Sequence, residues 1–177
     1  MNLISTAYWG STDYYRQMLG EQGVINADER YERKKHLNRC NIVGANGVMT
    51  LTVPTKRVHG NVPVRDIRID NDIAWQHQHW ISLLSAYKTS PFFDFIADDI
   101  APFYNRHHEF LLDLNEEIRL WTIRAIGFNN RKQITDTPCH EQKQYYQVFA
   151  ERHGFMTGMS IIDLICNTGP EALYYLT

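Results

Sequence analysis

The residues best suited to chemistry crowd into one stretch, Glu29 to Pro54. Arg30, Arg33, Lys34, Lys35 and Arg39 fall within ten residues, with only Glu32 against them. A guanidinium offers a planar fork of donors that matches phosphate or carboxylate, so Arg39 is the leading candidate for holding an anion. Asn38 beside it both donates and accepts, as contact with a sugar or ribose requires. The competing reading pairs Arg39 with Glu29 or Asp66 and leaves it to order a sheet edge. Ser11 and Thr12, after Gly10, form a second candidate anion site, because a strand-to-helix corner presents backbone N–H groups. His79 and Arg33 are the candidates for catalytic work, although no catalytic residue is assigned. Arg33 is restricted by its high pKa to electrostatic roles rather than general base or amine chemistry.

Other chemistries lack their signatures. There is no GxSxG elbow, no phosphate-binding P-loop and no GxGxxG. His77 and His79 are two apart, which on a helix sends them to different faces. His140-Glu141 is not followed by the second histidine of a zinc-protease motif. No metal site and no cofactor is expected. Cys40 is the thiol in a basic setting, which lowers a thiol pKa when it is exposed; the alternative is a small buried hydrophobe in a strand. Asp163 reads as a helix cap, with a catalytic carboxylate as the lesser alternative.

The elements that position these groups follow from periodicity. Leu3 to Trp9 reads as a short buried strand, broken at Gly10. A helix capped by Ser11 or Thr12 then runs to Gly20, and Val24 to Ala27 is a second strand. Together they predict a βαβ unit with parallel strands. Asn46-Gly47 predicts a type I′ hairpin turn, after which Met49, Leu51 and Val53 alternate with Val48, Thr50 and Thr52 until Pro54 ends the pairing. The stretch Thr55 to Val62 reads as a flap-like loop. Val64 to Asp70 alternates again and predicts a further antiparallel strand. From Ile73 the period is helical, with Ile73, His77, Trp80, Leu84 and Tyr87 on the apolar face, so that His77 is a core histidine and His79 borders a cleft. Ser90-Pro91 opens a second helix and Glu109 to Ile126 forms a third, with Glu116 paired to Arg119 and Gly127 as its stop. A short strand is expected at Gln133-Ile134-Thr135, a helix at Glu141 to Arg152, and a buried helix behind a capping box at Ser160 to Asp163. The fold class is α/β, with α+β as the alternative. A small mixed sheet with an N-terminal βαβ unit and an antiparallel hairpin is covered by a mainly helical C-terminal half, in a single domain over residues 1–177.

A chain of 177 residues, 44% hydrophobic and 21% charged, has the composition of an ordinary globular protein. Net charge is −2, which argues against general binding to nucleic acid. Half of the 18 Lys and Arg nevertheless lie between Arg30 and Arg68, so a small anionic ligand suits this surface better than a polymer. Three widely spaced cysteines, without signal-peptide character or an apolar run of about 20 residues, lead to the expectation of a cytoplasmic protein with no membrane span. A homo-oligomer is left open.

The segment Glu29-x-Tyr31 … Asn38-Arg39-Cys40-x-Ile42 … Asn46-Gly47 … Leu51-Thr52-Val53-Pro54 resembles the WbqC-like protein family. So do Trp75, His79-Trp80, Ala86-Tyr87, Ser90-Pro91-Phe92-Phe93, and the ending Ser160 to Leu164 with Asn167-x-Gly169-Pro170. The family takes its name from bacterial polysaccharide (O-antigen) gene clusters. The resemblance therefore implies surface-polysaccharide biosynthesis, with a transferase acting on a nucleotide-linked sugar as the leading expectation. A non-catalytic binding or assembly protein and an inactive paralogue are the alternatives. It also draws Tyr31 and His79 into the ligand-binding set with Ser11, Thr12, Asn38 and Arg39, the aromatics serving to stack on base or sugar. The chain departs from the family pattern at Tyr8-Trp9-Gly10-Ser11, where prolines usually follow an aromatic pair. It departs again at Arg33, where a lysine is expected, and at Leu37, where an arginine is. Longer members carry an extra segment between the third helix and the ending.

Overall fold

A computed structural model describes residues 2–21, 23–32, 36–128 and 142–177. Arg33 and the strand expected at Gln133-Ile134-Thr135 lie outside these residues. The architecture is mixed α/β, with an N-terminal parallel pair, an antiparallel hairpin and a helical C-terminal half. β1 (Leu3–Ile4) pairs in parallel with β2 (Val24–Ile25), and α1 (Thr12–Glu21) crosses between them. Both strands are shorter than their apolar runs suggest. Residues 5–10 leave β1 to bury Tyr8 and Trp9 completely.

β3 (Arg39–Gly44) and β4 (Gly47–Thr52) form the hairpin, with Arg39 opposite Thr52 and Gly44 opposite Gly47. Gly47 has φ of 105° while Asn46 stays at negative φ, so the turn is not type I′. The loop residues are instead Ala45 and Asn46, and the left-handed requirement falls on Gly47 alone. Leu51 and Val53 are buried, whereas Met49 lies near the hairpin tip and is exposed.

The strand expected at Val64 to Asp70 is not formed. Val64–Asp66 is a 3₁₀ turn following Pro63, and residues 67–70 make only isolated bridges, Thr55 to Ile69 and Arg68 to Phe110. The alternation was real, because Ile67 and Ile69 are buried and Arg68 is exposed. After the turn, too few extended residues remain to build a ladder.

The helices are α2 (Trp75–Tyr87), α3 (Phe93–Ile100), α4 (Pro102–Asn105), α5 (Leu111–Ala125), α6 (Ala150–His153), α7 (Ile161–Thr168) and α8 (Ala172–Leu176). On α2 the buried residues are Trp75, His79, Leu83, Ala86 and Tyr87, while Ile73 and His77 are exposed. The apolar face is therefore rotated from the expected one, and His79 rather than His77 is the core histidine. Period alone could not choose, because Trp75 and Trp80 both offered an aromatic edge to the stripe. Ser90 does not cap α3. Its hydroxyl donates to the Tyr87 carbonyl at 2.7 Å and closes the end of α2. On α5, Leu111, Leu114, Ile118 and Trp121 are buried as expected. Arg119 grips Glu116 at 2.7 Å, and Gly127 follows with φ of 68°.

Residues 142–149 carry no helix; only α6 forms, stopped at Gly154 with φ of 75°. Nor is Asp163 a cap. Its carboxylate, 1% exposed, accepts from the hydroxyls of Tyr87 at 2.8 Å and Tyr145 at 2.6 Å, and from Gln147 Nε2 at 2.9 Å. Those bonds fasten residues 145–147 to α7. Gln147 in turn bonds both the N–H and the carbonyl of Met156, at 2.9 and 3.0 Å, and Gln142 accepts from the Gly158 N–H at 2.9 Å. The result is a fixed strap, residues 156–160, leading into α7.

Candidate functional site

The strap crosses the start of α1 and the outer side of β3. Ser160 donates its backbone N–H to the Asn41 carbonyl at 2.9 Å, Ile161 N–H reaches the Gly10 carbonyl at 2.8 Å, and Thr12 N–H reaches the Met159 carbonyl at 3.1 Å. A cavity of about 330 Å³ opens where these three segments meet. It is lined by Ala7 and Trp9 to Ser11, by Asp13 and Tyr14, by His36 and Arg39 to Asn41, and by Gly158 and Ser160. Local sequence explains the corner. Trp9 sits at φ of 42°, a left-handed backbone that costs energy in a residue with a side chain. A Cβ on Gly10 would come within 2.4 Å of the Tyr14 ring, so the close approach needs glycine. Ser11 Oγ then accepts the Tyr14 N–H at 3.1 Å, the bond of an N-cap.

The cavity brings together two residues chosen from separate stretches, Ser11 and Arg39. Ser160 adds a hydroxyl that is 1% exposed; its oxygen makes no well-aligned hydrogen bond among the described residues, and the Cys40 thiol beside it is at most a weak partner. Such a hydroxyl is satisfied by ordered water or by a bound ligand. His36 and Asp13 stand at the exposed side, Asp13 already paired with Arg16 at 3.1 Å. The donors are a guanidinium, two hydroxyls and a helix N-terminus, a set that favours an anion. Cys40 is buried and burial pushes its thiol far up, so the small-hydrophobe reading of this residue holds and it is no nucleophile.

The remaining candidates lie elsewhere. Thr12 is 1% exposed, its N–H engaged by the strap. Asn38 is buried, donates Nδ2–H to the Val53 carbonyl at 2.8 Å, and accepts the Val53 N–H at its own carbonyl at 2.7 Å. It is the fastener of the hairpin base, one residue from the cavity. Tyr31 is buried with its hydroxyl 3.3 Å from Thr55 Oγ1. Leu37, at the place of a family arginine, is 1% exposed, and its carbonyl accepts from Asn115 Nδ2 at 2.9 Å.

His79 occupies a buried network behind the cavity wall. The Trp9 indole N–H donates to Tyr104 Oη at 2.8 Å, Tyr104 and Tyr8 hydroxyls lie 3.0 Å apart, and Tyr8 Oη is 2.8 Å from His79 Nδ1. A neutral ring satisfies the whole chain. Nδ1 accepts from Tyr8, Tyr8 accepts from Tyr104, and Tyr104 accepts from Trp9. Burial pushes His79 down to about 4, partly opposed by a backbone hydrogen bond to Thr52. His79 is thus a positioning residue. It orients Tyr8 and, through Tyr104, the Trp9 side chain that packs edge-on against Trp121 at 5.7 Å. Sequence reasoning missed His36, Asp13 and Ser160 at the cavity. The sequence pattern makes Ser160 a helix cap, but its side chain makes no capping bond.

Among the described residues, no group of three or more His, Cys, Asp or Glu is arranged to hold a metal ion, and no helix is long and apolar enough to cross a membrane. The model of the WbqC-like protein family matches residues 7–143. That span includes the cavity lining from Ala7 to Asn41 and both departures at Arg33 and Leu37, but not the strap. No curated protein and no solved structure matches the chain.

Proposed function

The chain belongs to the WbqC-like protein family, and on that premise we propose that it binds the anionic group of a small ligand in the cavity between α1, β3 and the strap. Arg39 and the Ser11 and Ser160 hydroxyls hold the anion, and Trp9 forms the wall beside them. The observation that carries this reading is the meeting of Arg39, Ser11 and the buried Ser160 hydroxyl in one cavity. A volume of about 330 Å³ is at the small end for ligand sites, enough for a phosphate and a sugar ring but not for a whole nucleotide sugar. A nucleotide-linked sugar would keep its nucleoside outside, toward His36.

The family's association with polysaccharide clusters supports a cytoplasmic transferase of O-antigen or related surface-polysaccharide biosynthesis. In that reading the cavity secures a phosphate, and electrostatic stabilisation by Arg39 assists departure of the nucleotide. The binding-only reading is favoured by the sealed position of His79, which removes the histidine singled out for acid–base work. Melting temperatures measured with inorganic phosphate, nucleoside diphosphates and a panel of nucleotide sugars test the site. A rise with at least one of them is expected, lost in Arg39→Ala and reduced in Ser160→Ala. Ser160→Ala alone should shift the ligand-independent stability by less than about 0.5 kcal/mol, because its hydroxyl has at most the weakly accepting Cys40 sulfur to lose. If no anion raises the melting temperature, the site reading falls. Mass spectrometry of mixtures with acceptor sugars then separates transferase from binder.

A further inference from the structure

A second and larger cavity, about 810 Å³, lies on another part of the molecule as a groove between α3 and α5, floored by the end of α7 and the turn after it. Its lining is mainly apolar, including Ile96, Trp121, Ala125, Ile165 and Pro170. Phe95 stands on its rim with 79% of its surface exposed. The charged residues of the lining are Asp99, one turn beyond Phe95 on the α3 wall, and Arg124 on the opposing α5 wall. Neither forms an ion pair among the described residues. The floor is closely fitted, since a Cβ on Gly169 would come within 2.4 Å of the Phe92 ring.

We propose that this groove seats a second copy of the same chain in a two-fold dimer. The face carries a protruding aromatic ring, a groove able to receive one, and opposite charges on opposite walls. A two-fold rotation lays α3 of one copy along α5 of the other. Each Phe95 then enters the facing groove, and each Asp99 meets the other copy's Arg124. A patch that supplies both knob and hole, and both signs of charge, is self-complementary, which is the condition an isologous interface must meet. An unrelated partner would need no such internal match, and a small ligand would not require an aromatic ring held out in water.

Sedimentation velocity on the full chain, followed over a dilution series up to about 100 μM, tests the assignment. A dimer is expected. Asp99→Arg and Arg124→Asp should each weaken it at least about tenfold, by setting like charges face to face. The double exchange D99R/R124D should recover most of that loss, and Phe95→Glu should leave a monomer. All three side chains changed are on the surface, and unchanged circular dichroism melting confirms that folding is intact. A wild-type chain that stays monomeric throughout overturns the proposal. So does a dimer indifferent to Phe95→Glu, or a double variant no tighter than the single ones. Binding of anions in the α1–β3 cavity is read separately by thermal shift, so failure of either reading leaves the other standing.

Discussion

Two buried polar clusters support the candidate cavity, and they are built on opposite logic. Behind the α1 corner, His79 is held neutral as an acceptor at the end of a chain of hydroxyls and an indole N–H. Behind the strap, Asp163 is a single acceptor surrounded by three donors, Tyr87, Tyr145 and Gln147. The first cluster is linear, and its inner members, Tyr104 and Tyr8, have a partner on either side. The second is radial, and every bond ends on one carboxyl group. Loss of one group therefore has different consequences in the two places. The radial cluster fails at its hub, whereas the linear one loses one or two links.

Replacing the hub should have the largest effect. Asp163→Ala leaves two buried phenols and one N–H of the Gln147 amide without their acceptor, and we expect a loss of about 3–5 kcal/mol, measured by urea unfolding. It should also loosen the strap, visible as faster amide exchange at residues 156–160. If stability falls by less than about 1 kcal/mol, the three bonds to Asp163 are not the fastening described above.

The pH response distinguishes the two clusters by sign. His79 takes up a proton at about 6.5 in the unfolded chain but only at about 4 in the folded one. Its contribution is whole above the unfolded value and is lost as pH falls from 6.5 toward 4, by up to about 3 kcal/mol. Asp163 works the other way. Burial raises its folded value above 3.8, outweighing the three bonds that lower it. Its contribution is whole below 3.8 and fades as pH rises through the raised value. Acidification should therefore weaken the first cluster and strengthen the second. His79→Phe, which removes the Tyr8 acceptor, should cost about 1–3 kcal/mol at neutral pH and flatten the decline between pH 6.5 and 4. An unchanged decline in that variant would assign the acid sensitivity elsewhere.

The smallest effect belongs to a single link. Tyr104→Phe removes the hydroxyl between Trp9 and Tyr8 and should cost about 1–2 kcal/mol. Because Trp9 forms the cavity wall, the same variant should alter tryptophan fluorescence and weaken anion binding more than its stability loss explains. Unchanged anion binding would confine this network to folding.

Much of the scaffold was legible from local pattern. The crossover from β1 through α1 to β2, the hairpin, the stripe of α5, the Glu116–Arg119 pair and the stop at Gly127 all depend on residues close in sequence. Errors arose where the deciding contacts are distant. The apolar face of α2 was set by Tyr8, whose hydroxyl meets His79 across 71 residues. Asp163 looked like a cap because Ser160 precedes it by three, yet its carboxylate is claimed by Tyr87, 76 residues earlier. Residues 142–147 looked helical because amphipathic runs do; Tyr145 and Gln147 are instead drawn out toward that carboxylate. Of the candidate site, Arg39 and Ser11 could be named from the basic run and the Gly-Ser corner. Ser160 could not, since nothing near it in sequence indicates that its hydroxyl faces a cavity.

The amino-acid sequence by itself determined the family, the mixed α/β class and most helix positions, and it singled out two residues of the candidate cavity, Arg39 and Ser11. The family follows from the resemblance of its motifs, and the rest from short-range periodicity, turn chemistry and charge. Tertiary structure alone decided that Arg39 and Ser11 share a cavity with Ser160, and that His79 and Asp163 are supports buried behind it. The physical reason is that burial and hydrogen-bond partnership belong to the packed chain. Whether a histidine ionises or a hydroxyl is satisfied depends on groups brought together only by the fold.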